Sequence, residues 1–212
     1  MESDRRKNPI LQKLLYNYVD YFFFEDYDPI LYRTRRLNQM IDNITSPIVA
    51  IWDVDIIVPP LQVLSAVKLI RKDSCDFAYP YQKYFLDVPS IIKHAFLETK
   101  DITILQKNMS RMPQLYEPDP CGGAFICNTE KYKESGLENE HFYGWGIEDG
   151  ERIIRWKRLG YRIERVDGPL YHLSHPRGEN SSDSKQKGLL KDIKLRAYFK
   201  SHNYNGSISY EK

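Results

Sequence analysis

Two carboxylates one residue apart, Asp53-Val54-Asp55, follow directly on five apolar residues, Ile48-Val49-Ala50-Ile51-Trp52. In an extended chain residues i and i+2 point the same way, so these two charges repel each other unless a cation or a donor sits between them. Hard oxygen ligands suit Mg²⁺ or Mn²⁺, above all where a substrate adds phosphate oxygens. A solvated turn, or an N-cap ahead of Pro59, is the competing reading. A place after an apolar strand and before Ile56-Ile57-Val58-Pro59 favours the metal.

Two further segments carry chemistry-bearing residues. In His172-Leu173-Ser174-His175 two imidazoles lie three residues apart where a strand gives way to Pro176-Arg177-Gly178. They can reach one metal if the backbone turns there, and imidazole beside carboxylate shifts the preference toward Mn²⁺, Zn²⁺ or Fe²⁺. Tyr143-Gly144-Trp145-Gly146-Ile147-Glu148-Asp149 places a tryptophan between two glycines and two acids at the start of a helix. The glycines let the backbone bend and leave the indole face open to a sugar. Glu148 and Asp149 read either as acids stabilising the first helical turn or as a general base beside an acceptor hydroxyl.

The elements that must hold these residues alternate. Helices are expected over Asn8 to Tyr18, Leu31 to Ile44, about Pro59 to Arg71, Glu148 to Leu159 and about Leu189 to Phe199, each an amphipathic run with its breaker. Strands are expected at Tyr21 to Phe24, Ile48 to Trp52, Asp76 to Tyr79, Gly122 to Cys127 and Tyr161 to Val166. Residues 81 to 120 carry no clear periodicity, and 176 to 188 read as a polar loop. Helix–strand alternation argues for a doubly wound α/β sheet, with Ile48 to Trp52 as a central parallel strand covered on both faces. Ligands then bind at the carboxyl ends of the strands, which is where Asp53 and Asp55 fall.

Composition narrows the classes. The chain has 212 residues, room for one domain over 1–212. Its net charge of +2 is too small for a nucleic-acid-binding surface, and the densest basic cluster, Arg33-Thr34-Arg35-Arg36, suits a phosphate-sized anion better than a duplex. Cys75, Cys121 and Cys127 have neither disulfide parity nor C-x-x-C spacing, so a reducing, cytoplasmic setting is expected. The apolar runs are too short for a transmembrane segment. The 16 tyrosines are read either as sugar contacts or as a tyrosine-rich core.

Together the segments resemble the β1,4-galactosyltransferase family (glycosyltransferase family 7) and its bacterial relatives. The matching pieces run in the family's order: Trp52-Asp53-Val54-Asp55, Gly122-Gly123-Ala124-Phe125, Gly144-Trp145-Gly146-Ile147-Glu148-Asp149 and His172 to His175. Leu31 to Asn38 is similar to the family's Asn-Arg-Ala-Lys-Leu-Leu-Asn helix, and the resemblance covers about residues 19 to 178. It implies a GT-A type fold with a mixed, mostly parallel central sheet. It also implies an inverting transfer of a hexosyl group (galactose or N-acetyl-hexosamine) from a UDP-sugar donor to a glycan acceptor. Asp55, His172 and His175 would ligate Mn²⁺ (or Mg²⁺). Arg33, Asp53, Asp55, Gly122, Gly123 and Trp145 would bind the donor. Asp149 would be the catalytic base, with Glu148 beside it. Gly150 and Pro120 stand where the family carries an acceptor-holding acid and a donor-selecting tyrosine, which leaves both sugars open. The family's first strand and Arg-rich turn precede the first helix, where Met1 to Lys7 stand here: either the sheet lacks that strand, or Arg5 and Arg6 retain part of the turn. A catalytically inactive relative that binds nucleotide or glycan, and a metal-dependent hydrolase, are the rival readings.

Overall fold

The computed structural model describes residues 1–15, 17–116, 119–144 and 146–176. The loop expected over 176 to 188, beyond Pro176, and the helix expected over Leu189 to Phe199 lie outside the described residues.

The chain opens with a strand–helix–strand unit. β1 (Glu2–Asp4) pairs in parallel with β2 (Phe23–Glu25), and α1 (Pro9–Leu15) connects them. A three-residue strand is therefore present at the start, with the apolar Phe23-Phe24 edge as its partner, but among the described residues it joins neither of the larger sheets. No residue of α1 is buried. The unit is tied to the next helix, α2 (Arg33–Ile41), through Arg36, which binds Asp26 at 2.6 Å and lies over the Phe24 ring at 4.9 Å.

β3 (Ile48–Trp52) follows, then the two-residue β4 (Ile56–Ile57), α3 (Pro60–Arg71) and β5 (Phe77–Tyr79). Pro60 starts α3 where a proline costs no hydrogen bond. The unassigned stretch then proves to be ordered: β6 (Phe85–Val88), α4 (Ser90–Thr99), α5 (Ile102–Lys107) and a 3₁₀ turn (Met109–Arg111). β7 (Ala124–Asn128), α6 (Thr129–Glu134), α7 (Glu148–Arg158), β8 (Ile163–Arg165) and β9 (Leu170–Leu173) complete the described elements.

Two larger sheets result, ordered β3-β7-β5-β8 and β4-β9-β6. The fold is α/β with mixed sheets, as expected, but not mostly parallel. β7 runs antiparallel to both β3 and β5, whereas β5–β8 and β6–β9 are parallel. The excursion through β6, α4 and α5 leaves and returns at the carboxyl end of β5, so the strand that follows it must run backwards. A second correction concerns β3. It is an edge strand among the described residues, with Ala50 exposed and only Ile51 buried, so its unbroken apolar run does not mark a sheet centre.

The main core stacks Phe77 on Trp156 at 3.7 Å between ring centroids and adds Tyr79, Tyr81, Phe125 and Tyr132. Four fully buried tyrosines, Tyr79, Tyr81, Tyr132 and Tyr171, support the core reading of the tyrosine content. A separate cluster, Leu86, Val88, Ile92, Phe96, Leu105 and Tyr171, seats α4 and α5 on the β6–β9 pair.

Candidate active site

The Asp-Val-Asp segment is a turn, not extended chain. The amide of Ile56 donates to the Asp53 carbonyl at 3.1 Å, closing a loop whose tip, Val54, is fully exposed. Its flanks are tied to both sheets: the Asp53 amide donates to the Gly123 carbonyl (2.9 Å) and the Leu173 amide to the Asp55 carbonyl (2.8 Å). The two carboxylates therefore diverge, correcting the expectation that they point the same way. Asp53 Oδ1 meets Arg33 Nη2 at 2.6 Å, whereas Asp55 turns to the histidines.

Asp55 Oδ2 lies 3.0 Å from His175 Nε2 and 3.5 Å from His172 Nε2. One ligand atom from each of the three residues falls within 4.8 Å of the others. His172 is the third residue of β9, paired with Ile56 of β4; His175 follows the strand's end, which brings both rings to one side. The hydrogen bond with His172 holds the Asp55 carboxyl below its ordinary range. The same bond raises His172, with Asp87 adding to it and burial opposing. One carboxylate and two imidazoles are a donor set that fits Mn²⁺, and equally Zn²⁺ or Fe²⁺. Sequence reading missed Asp87, whose Oδ1 stands 2.7 Å from His172 Nδ1. The only signal for it was a lone carboxylate in the apolar run Phe85 to Val88.

On the other flank of the turn, Arg33 projects from the first residue of α2 between Asp53 and Glu148, with Nη1 3.9 Å from Glu148 Oε1 and no hydrogen bond of its own. Neighbouring acids hold this guanidinium firmly protonated despite burial. Burial raises the Asp53 carboxyl, against the pull of Arg33.

Glu148 and Asp149 open α7 behind Ile147, a β-branched residue held at φ +59°, where few such residues are found. Ile147 is the N-cap and makes no side-chain cap bond, while Glu148, Asp149 and Glu151 fall in the first turn, where their charge favours the helix. Asp149 Oδ1 instead accepts from Arg152 Nη2. Arg152 is itself buried, bound to Glu138 at 2.8 Å and lying over the Phe125 ring at 4.5 Å. Asp149 Oδ2 sits so close to Gly122 that a Cβ there would approach it to 2.8 Å, which makes Gly122 a spacer for this carboxylate. Gly123, at φ +80°, has Leu170, Phe85 and Ile56 at 3.2–3.3 Å from the equivalent position and marks where the two sheets meet. Trp145 lies outside the described residues.

Glu148 is buried, and its Oε2 has no hydrogen-bond partner. Burial first, and the charge of Asp149 second, push its carboxyl from the ordinary 4.5 up to about 7, with Arg33 opposing. A raised acid stabilises the fold below its ordinary value, and that contribution is lost as pH climbs through about 7. Glu148→Gln removes the ionisation. It is expected to stabilise the ligand-free protein at pH 8 by on the order of 1–3 kcal/mol, and to change little at pH 5. Thermal melts of both proteins at the two pH values check this; an equal gain at both would mean that burial of the charge is not the cause.

The family model described as the N-terminal domain of galactosyltransferase matches residues 106–177, which carry Gly122, Gly123, Glu148, Asp149, His172 and His175. No curated protein matches by sequence. A crystal structure of a Drosophila β1,4-galactosyltransferase 7 mutant in complex with manganese, UDP-Gal and xylobiose is similar at TM-score 0.56 and 14% identity, over 91% of this chain and 77% of that one. The catalytic domain of the Drosophila enzyme in complex with xylobiose is similar at TM-score 0.57 and 16% identity, over 97% and 80%. This chain therefore shares the α/β fold of those galactosyltransferase structures, and one stretch of it matches a galactosyltransferase family model.

Proposed function

We propose that residues 1–212 act as one nucleotide-sugar-dependent glycosyltransferase domain, transferring a hexosyl group from a UDP-sugar to a glycan hydroxyl with inversion. The observation that carries this reading is the convergence on one turn of a metal-type cluster (Asp55, His172, His175) and an arginine–carboxylate group (Arg33, Asp53, Glu148, Asp149). The solved neighbour with manganese and UDP-Gal, on the same fold, supports both the cofactor class and the donor class.

Asp55, His172 and His175 would hold Mn²⁺ (Mg²⁺ being the alternative), which when bound supplies charge neutralisation for the departing diphosphate. Arg33 would contact the nucleotide or diphosphate through Nη1, which makes no hydrogen bond here, while Nη2 keeps its bond to Asp53. Gly122 keeps the backbone beside Asp149 bare, and Gly123 and Trp145 would contact the donor. Asp149, steadied by Arg152, accepts the proton of the acceptor hydroxyl as its oxygen attacks the anomeric carbon. The bond to UDP breaks on the opposite face, and Glu148 stands beside the base. Most of the acceleration comes from positioning and from charge placed in advance.

Among the described residues no helix is long and apolar enough to cross a membrane. Three free thiols suit the cytoplasmic setting proposed here. The test is a turnover assay pairing UDP-hexoses with candidate glycan acceptors in the presence of Mn²⁺. Acceptor-dependent UDP release that a chelator abolishes is expected. UDP binding without any turnover would leave a nucleotide-binding module, and free sugar formed regardless of acceptor would indicate a hydrolase.

A further inference from the structure

The excursion β6–α4–α5 touches the histidine arm at two points. In the parallel β6–β9 pair Asp87 lies directly in register with His172, and its carboxylate reaches His172 Nδ1 at 2.7 Å. Six residues on, Lys93 of α4 donates from Nζ to the carbonyl of Ser174, between the two histidines, at 2.6 Å. The alternate residues of β6, Leu86 and Val88, face the other way into the cluster formed with Ile92, Phe96 and Leu105, so the strand carrying Asp87 is anchored by packing.

We propose that Asp87 is a positioning residue for the metal-binding imidazole of His172, with Lys93 fixing the backbone that carries His175. This rests on the reading of Asp55, His172 and His175 as a metal site. With Nδ1 donating to Asp87, Nε2 is the ring nitrogen turned toward Asp55 and the one a cation would take in place of a proton, and the ring cannot rotate without breaking a charge-assisted bond. The helical excursion is on this account a buttress for the cation site, not an appendage to the sheet. Asp87 is not counted a ligand: it meets the other ring nitrogen, Nδ1, and the described cluster is Asp55, His172 and His175.

The experiment measures Mn²⁺ affinity of the full chain, without substrate, by the electron paramagnetic resonance signal of the free ion. Wild type is compared with Asp55→Ala, Asp87→Ala, Asp87→Asn and Lys93→Met. Asp87→Ala should weaken Mn²⁺ by about 10–100-fold, the range found for outer-shell carboxylates. Asp87→Asn, whose amide oxygen still accepts from Nδ1, should recover part of the loss. Lys93→Met should give a smaller loss. Melting temperatures of the metal-free variants should stay within a few degrees of wild type, since Asp87 is partly exposed. Wild-type affinity in Asp87→Ala, or an Asn variant no better than Ala, overturns the positioning role. If wild type and Asp55→Ala bind Mn²⁺ alike, the metal-site reading itself has failed. If Asp55→Ala loses the ion and Asp87→Ala keeps it, only the role of Asp87 falls.

Discussion

Asp149→Asn is expected to lower transferase turnover at least about a hundredfold, the usual cost of losing a general base, while melting and UDP affinity stay near wild type. The structure makes this substitution clean. The helix N-cap is Ile147, so no cap bond is lost, and an asparagine oxygen can still accept from Arg152 Nη2. What disappears is the charge and the capacity to take a proton. Asp149→Ala is the contrasting variant, because it strips a partner from Arg152, a guanidinium that is almost fully buried. It should cost stability as well as rate, since an arginine left with unmet donors in the interior is expensive. Steady-state rates on a verified acceptor, alongside thermal melts, separate the two effects. Wild-type turnover in Asp149→Asn would move the base elsewhere, with Glu148 the first residue to test.

Asp55→Ala should abolish Mn²⁺-dependent UDP binding. Asp55 is the one carboxylate in the described cluster, and two neutral imidazoles bring no negative charge to a divalent cation. The loss of Mn²⁺ affinity should exceed the roughly 10–100-fold typical of outer-shell substitutions. The backbone has little reason to respond, because the turn is held by the main-chain bonds of Asp53, Ile56 and Leu173. Calorimetric titration of UDP with Mn²⁺, repeated with chelator, measures it. The same UDP affinity with and without the aspartate would remove the metal from this site.

Much of the site was legible because its residues sit at element ends, where type and spacing carry information. β3 and α3 fall where their apolar runs and Pro59-Pro60 put them, and α7 begins at Glu148 as the glycines before it suggest. Tertiary choices were not legible. An apolar pentapeptide reads alike at a sheet's centre or edge, and among the described residues β3 is an edge strand paired with β7 alone. Strand direction depends on where a connection leaves and returns, which no local pattern encodes; the reversal of β7 follows from the excursion before it. Asp87 escaped notice because its partner is 85 residues away and the β6–β9 register alone brings them together. The divergence of Asp53 and Asp55 depends on a turn whose hydrogen bonds reach Gly123 and Leu173, both distant in sequence.

The Asp-Val-Asp turn is also the seam between two sheets. β3 before it belongs to one and β4 after it to the other, and its flanking amide and carbonyl are tied to the Gly-Gly entry of β7 and to the last residue of β9. A ligand that touches Asp53 on one flank and the Asp55 cluster on the other bridges both layers at their joint. Stability then rises with ligand concentration by mass action. Donor binding and the cooperativity of the fold become linked quantities. The melting temperature of the protein should climb with nucleotide concentration, because the joint is released only when the nucleotide lets go.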